Sequence, residues 1–186
     1  MKRLFDLLLT LPAIVILAPV LLITAVVIRL TSTGPAVHWS KRVGRDNHLF
    51  LMPKFRTMRQ DTPQIPTHLF ANPDRWVTPF GRILRRTSLD ELPQLWSVLR
   101  GDMSLVGPRP ALFNQDDLVA LRTAANVHKL RPGVTGWAQV NGRDELPIPI
   151  KVSFDKEYGE RQTLLMDIRI IFETVRQAVR SKGVSH

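Results

Sequence analysis

The chain has 186 residues, 44% of them hydrophobic, which suits one domain with a modest core and excludes a disordered chain. Lys and Arg number 26 against 16 Asp and Glu, and the net charge of +10 points toward an anionic partner: nucleic acid, acidic lipid or a phosphorylated substrate. There is no cysteine, so disulfides, thiol nucleophiles and thiolate metal sites are excluded.

The first element is an apolar run without a charge from Leu7 to Ile28. As a straight helix it would be roughly 33 Å long, enough to cross a bilayer. It suits a signal peptide poorly, because the run is long, Asp6 stands in front of it and no small-residue cleavage site follows. Lys2 and Arg3 lie on one side, and Arg29, Lys41, Arg42 and Arg45 on the other. The positive-inside rule draws both flanks to the cytoplasmic face, which a re-entrant dip satisfies and a straight span does not. Pro12 and Pro19 supply the means to bend, with Ala18-Pro19 near the middle. Prolines are also tolerated in spanning helices, so a kinked span stays open on these grounds.

Residues 31–35, TSTGP, break this helix, and 36–58 alternate around a GRDN turn, which predicts a β-hairpin. Residues 61–67 read as loop, and 78–86 as a short basic helix. LDELPQLWSVLR predicts the next helix, stopped by Gly101, and SLVGPRP an extended loop. Residues 112–128 predict a helix with Asp116 and Asp117 in its first turns. Residues 130–149 hold too many Gly and Pro for regular structure, and 150–160 and 164–181 read as helices. The last is amphipathic, with Leu164, Ile168, Ile171, Phe172, Val175 and Val179 at helical spacing, suited to core packing or to lying on lipid.

RRTSLDELP, residues 85–93, holds the chemistry-bearing pair Asp90 and Glu91. Ser88 and Glu91 have the spacing of a capping box, and that alone accounts for the motif. Its surroundings argue for more: Arg82, Arg85 and Arg86 precede the acids, Asp102 and Arg109 follow, and Lys54 and Arg56 come from the hairpin. A carboxylate kept ionised among arginines can attack phosphorus, and a second acid beside it suits Mg²⁺. Arginines clamp phosphates in bidentate fashion. No Walker A loop, dinucleotide fingerprint, HExxH or zinc spacing is present, and the five histidines are scattered. A basic binding module for anionic lipid or nucleic acid suits the charge but leaves the acidic pair unexplained.

KRLFDLLLTLPAIVILAPVLL, KRVGRDNHLFLMPKFRTM, LRRTSLDELPQLWSVLRGDMSLVGPRP and LRPGVTGWAQVNGR, in this order, closely resemble the bacterial sugar transferase family. Its small members are monotopic phosphoglycosyl transferases that start glycoconjugate assembly on a polyprenyl phosphate. The resemblance implies a mainly helical α+β fold. Residues 1–30 would form a re-entrant membrane helix broken at Ala18-Pro19. Residues 31–186 would form a catalytic domain, with the hairpin and surface amphipathic helices around a membrane-facing site. It further implies that Asp90 attacks a UDP-sugar, releasing UMP, and that undecaprenyl phosphate then takes the phosphosugar. Glu91, with Asp90, would hold Mg²⁺; Arg109, Lys54, Arg56 and Arg86 would meet phosphates. The setting would be the cytoplasmic face of a bacterial inner membrane, with lipid as a partner, no nucleic acid, and a homodimer left open. The donor leans toward an N-acetylated amino sugar, with a hexose open. Two departures stand out: Ala18 where Ser often precedes the proline, and Ser97 where Asn is frequent.

Overall fold

The computed structural model describes residues 1–62, 73–142 and 146–180. Lys2–Thr31 form one helix, α1, long and apolar enough to cross a membrane. Pro12 and Pro19 lie inside it, and each withdraws one N–H from the helical ladder. The bonds on either side carry the helix across both, so the break expected at Ala18-Pro19 is not an interruption of α1. Its buried residues are Asp6, Thr10, Thr24 and Ile28, all toward the two ends. Between them Leu11, Val15, Ile16, Val20, Leu22 and Ile23 are exposed.

Both ends of α1 are fastened to the rest of the chain. At the start, Lys2 Nζ donates to Asp167 Oδ2 at 2.7 Å and to the Tyr158 hydroxyl at 3.1 Å. Arg3 donates to the carbonyls of Val98 and Leu99. The buried Asp6 carboxylate accepts from Ser104 Oγ at 2.9 Å and from the Leu105 N–H at 3.1 Å. At the far end Ile28 packs with Phe55 and Leu84, and Arg56 Nη2 donates to the carbonyl and hydroxyl of Ser32.

The expected hairpin is present. Strands β1 (Val37–Val43) and β2 (Leu49–Phe55) pair antiparallel, with Val37 opposite Phe55 and Val43 opposite Leu49. Asp46 and Asn47 turn the corner in the left-handed region, which these short polar residues tolerate. Side chains alternate along a strand, so Met52 and Lys54 share a face. Met52 packs there with Val98 and Met103, which sets the hairpin and aims Lys54 toward the segment before α3.

Helix α2 (Pro79–Thr87) begins at Thr78, whose hydroxyl accepts from the Gly81 N–H, and ends at Ser88 with φ of 56°. Residues 89–100, expected as one helix, split into a 3₁₀ turn, Leu89–Gln94, and helix α3, Leu95–Arg100. Pro93 lacks the N–H that an α-turn would aim at the Leu89 carbonyl, so this stretch winds tighter. Gly101, with φ of 95°, stops α3 as expected.

Two stretches expected to be irregular contain strands. β3 (Ser104–Val106) pairs in parallel with β4 (Gly133–Thr135) across helix α4 (Asp116–Ala124). Glycine permits this by close approach: a Cβ on Gly133 would lie 2.1 Å from the Gly107 nitrogen, and one on Gly136 2.1 Å from the Gly107 carbonyl oxygen. Helix α4 is shorter than the expected 112–128, because Asn126 turns left-handed behind it. A short helix α5 (Trp137–Val140) follows, then α6 (Ile148–Arg161) and α7 (Leu164–Arg180). From residue 63 on, the loop expected at 61–67 falls outside the described residues.

Tyr158 and Ile170 close a core with Val106, so α6 and α7 rest directly on β3. α7 buries Asp167 and Ile170 and leaves a second apolar stripe, Leu165, Ile168, Phe172 and Val175, uncovered. Its amphipathic pattern thus serves the core on one face and an exposed surface on another. Asp6→Ala strands the Ser104 hydroxyl and the Leu105 N–H, and should lower stability by about 1–3 kcal/mol. Denaturant unfolding in detergent measures this; an unchanged midpoint would show that water replaces the carboxylate.

Candidate active site

Three segments meet at one carboxylate. Lys54, near the end of β2, donates to Glu91 Oε1 at 2.8 Å. Arg109, two residues beyond the Gly107 that follows β3, donates to the same oxygen at 2.8 Å through Nη2 and reaches Oε2 at 3.5 Å through Nη1. The capping box expected of Ser88 and Glu91 does not form. Ser88 makes no side-chain cap, and the Glu91 carboxylate is taken by the two cations. Ser88 serves the backbone instead: its left-handed φ ends α2 and starts the 3₁₀ turn without a linker.

Asp90 sits in the first turn of that 3₁₀ segment, beside the clamped Glu91. Burial pushes its carboxyl up to about 6, against the pull of Lys54 and with the help of the Glu91 charge; Arg85 also lowers it. Glu91 behaves in the opposite way. Burial would raise it, but the charges and hydrogen bonds of Arg109 and Lys54 hold it well below the ordinary carboxylate range. Burial also draws Lys54 below its usual value, with Glu91 opposing. Two adjacent acids therefore differ sharply: one is a permanent anion locked in place, the other a carboxylate with a raised affinity for a proton or a cation.

The Arg109 segment is itself held by its carbonyls. Arg122 Nη1 donates to the Arg109 carbonyl at 2.7 Å, and Arg42 Nη1 to the Pro110 carbonyl at 3.1 Å. Arg122 is anchored in turn by Asp155 Oδ2, at 2.6 Å and 3.0 Å, in a buried pair between α4 and α6. These supports were not singled out in the sequence, although a signal exists. Asp155 falls on the buried stripe Val152, Asp155, Tyr158, and Arg122 one turn after the buried Leu118. A charge on a core stripe needs a partner.

Of the residues expected from sequence, Asp90, Glu91, Lys54 and Arg109 come together. Arg86 is exposed on α2; its neighbour Arg85 is the one whose charge acts on Asp90, and its Nε donates to Thr57 Oγ1 at 3.0 Å. Arg56 is directed to the end of α1, on Ser32. Asp102 lies 3.3 Å from Arg100.

Among the described residues no group of three or more His, Cys, Asp or Glu converges as a metal site. Mg²⁺ makes a lighter demand, one or two carboxylates completed by water and substrate phosphate. Asp90 fits that demand, because it is half-buried and under-compensated, and Glu91 Oε2 carries only a long contact to Arg109.

In metal-free protein Asp90 should oppose folding at high pH. The folded state binds the Asp90 proton more tightly than the unfolded chain, so stability falls as pH rises from about 4 through about 6. Asp90→Asn removes this penalty and should stabilise the fold at pH 8 by up to about 3 kcal/mol, with little effect at pH 4. Thermal unfolding at the two pH values reads this; equal shifts at both would disprove the raised affinity.

Residues 1–181 match the family described as bacterial sugar transferase. The chain is 34% identical to the exopolysaccharide production protein ExoY of Sinorhizobium fredii, with 98% of this chain and 87% of that one covered. It is 38% identical to the sugar transferase EpsL of Bacillus subtilis, covering 99% and 90%. It is 39% identical to the undecaprenyl-phosphate glucose phosphotransferase of Komagataeibacter xylinus, of which it spans only 36%. The chain belongs to the bacterial sugar transferase family.

Proposed function

We propose that the chain is a phosphoglycosyl transferase, moving a phosphosugar from a UDP-sugar to undecaprenyl phosphate as the first membrane step of glycoconjugate assembly. One observation carries this reading: Lys54 and Arg109 clamp Glu91, while the adjacent Asp90 joins neither bridge. Relatives named as undecaprenyl-phosphate sugar phosphotransferases supply the reaction class. Their names specify glucose, galactose and N-acetylgalactosamine, so both an amino sugar and a hexose belong in the donor panel.

In the first step an Asp90 oxygen attacks the β-phosphorus of the UDP-sugar. The bond from that phosphorus to the bridging oxygen breaks, and UMP leaves with the electron pair. The phosphosugar stays on Asp90 as a mixed anhydride. In the second step a phosphate oxygen of undecaprenyl phosphate attacks the same phosphorus, and the carboxylate leaves. Glu91 is unsuited to attack because two cations hold its charge. Those cations, with Arg85, would stabilise the gathering phosphate charge without reorganising. Mg²⁺, when bound by Asp90 and Glu91, would supply further neutralisation of the diphosphate.

The membrane geometry supports a lipid acceptor. The exposed apolar side chains of α1 run along its length, and both of its ends fasten to one body. An arch dipping into one leaflet meets this constraint, with Pro12 and Pro19 easing the curvature, and it keeps both termini on the cytoplasmic side of a bacterial inner membrane. The uncovered stripe of α7, flanked by Arg169 and Arg176, would rest on the same lipid surface.

With undecaprenyl phosphate, Mg²⁺ and a panel of UDP-sugars, the protein should release UMP with its proper donor. UDP in place of UMP would make it a glycosyl transferase and remove Asp90 from the chemistry. Asp90→Asn should reduce turnover at least a thousandfold while the protein still folds; substantial residual UMP release would exclude Asp90 as nucleophile. Tags at residues 1 and 186 should both be protected in sealed spheroplasts, and opposite accessibility would mean that α1 spans.

A further inference from the structure

Arg56 is bonded to Ser32 at the end of α1 and not to the Glu91 clamp, and it is 8% exposed and only partly satisfied. Its Nη2 caps the end of α1 on Ser32, while its Nη1 is buried without a hydrogen-bond partner. An unpaired guanidinium nitrogen in a buried position is costly, and native proteins keep such groups where something else binds them. The surroundings contain space for it. A cavity of about 280 Å³ is lined by Arg56, Arg59, Ser32, Thr33 and Thr78, with Asp61 at its edge.

The charged residues that line this cavity are Arg56, Arg59 and Asp61, so cations outnumber the acid. Arg29 donates to the Gly34 carbonyl at 3.1 Å, and burial first, then the Arg29 charge, lower the proton affinity of Arg56. A Cβ on Gly34 would come within 2.5 Å of Arg56 Nη1 and 1.7 Å of the Gln60 amide nitrogen, so the chain and the Gln60 carboxamide both pass beside the unpaired nitrogen. Arg59 is engaged by Asp61 at 3.0 Å and 3.1 Å, but both are well exposed, and such a pair is weak enough to be exchanged. Thr78 places the positive end of the α2 dipole at the wall. Two guanidinium groups thus line the cavity with one carboxylate, and Arg29 stands near Arg56. Val26 and Leu30 are exposed on the last turns of α1, ahead of the Ser32 and Thr33 that line this cavity.

We propose that this cavity is a second anion site, separate from the Asp90 centre, which takes the phosphate group of a membrane lipid where α1 emerges from the bilayer. The group is a phosphate mono- or diester, carried either by a phospholipid headgroup or by a polyprenyl phosphate waiting outside the active centre. Asp61 occupies Arg59 when the phosphate is away. The site requires α1 to lie in lipid, but not the chemistry assigned to Asp90.

The test uses full-length Asp90→Asn protein in detergent, so that turnover consumes nothing, and native mass spectrometry to count bound lipid. The probes are phosphatidylglycerol, undecaprenyl phosphate, inorganic phosphate, and diacylglycerol as the phosphate-free control. Phosphatidylglycerol or undecaprenyl phosphate should bind at one per chain in excess of diacylglycerol. Arg56→Lys with Arg59→Gln, which keeps a donor for Ser32, should weaken that binding at least tenfold. Asp61→Asn, an exposed change that leaves the α1 cap intact, should tighten it severalfold by removing the internal competitor. Wild-type affinity in either variant overturns the site. Displacement of phosphatidylglycerol by equimolar undecaprenyl phosphate identifies a waiting place for the acceptor. Its retention identifies a headgroup clamp, and binding of inorganic phosphate alone shows that the phosphate suffices without the lipid tail.

Discussion

The Glu91 carboxylate is the point on which the rest of the molecule converges. Lys54 arrives from the hairpin, Arg109 from the segment after β3, and the backbone of Glu91 belongs to the 3₁₀ turn between α2 and α3. The two cations were brought into reach by separate packing events: Met52 against Val98 for the hairpin that carries Lys54, and the parallel β3–β4 pair for Arg109. A half-buried anion with two cations fixes distances that apolar packing leaves loose. Its partners are charged, so losing one leaves an uncompensated charge behind. The neighbouring Asp90 inherits a defined position without sharing the bonds that define it.

Behind this cluster stands a second layer with no contact to the proposed chemistry. Asp155 holds Arg122, and Arg122 holds the carbonyl of Arg109, while Arg42 holds the carbonyl of Pro110. The Gly133 N–H also donates to the Pro108 carbonyl at 2.9 Å, so the proline-flanked segment is gripped through its backbone on both sides of the arginine. The Arg109 side chain therefore reaches Glu91 from a main chain that is itself held in place.

Much of this was legible in sequence. The hairpin announced itself by alternation around GRDN, α3 by its glycine stop, and the acidic pair by the cations about it. The misses share a physical origin in contacts between residues distant in the chain. β3 and β4 are three residues each, too short to show a period, and they pair because Gly107, Gly133 and Gly136 let two backbones touch. Ser88 and Glu91 have the local spacing of a cap, yet Lys54, 37 positions away from Glu91, wins the carboxylate. Arg85 and Arg86 cannot be ranked by type, and only the rotation of α2 decides which one faces the acid. The two-faced character of α7 was visible as amphipathicity, but which apolar stripe meets the core depended on Tyr158 and Val106.

The fastening of both ends of α1 has a consequence for how a reaction partner is found. A helix tied at Lys2 and Asp6 on one side, and at Ile28 and Ser32 on the other, has no hinge between the apolar wedge and the body. In the proposed placement the molecule would ride the bilayer as one float, at a draught set by the length of the wedge. Everything above the wedge, including the acid pair, would be carried at a constant altitude over the hydrocarbon. A long-tailed acceptor of the proposed kind would then need no lifting out and no search in three dimensions. It would drift in the plane of the sheet, and its headgroup would meet the acid pair at the height where it already travels.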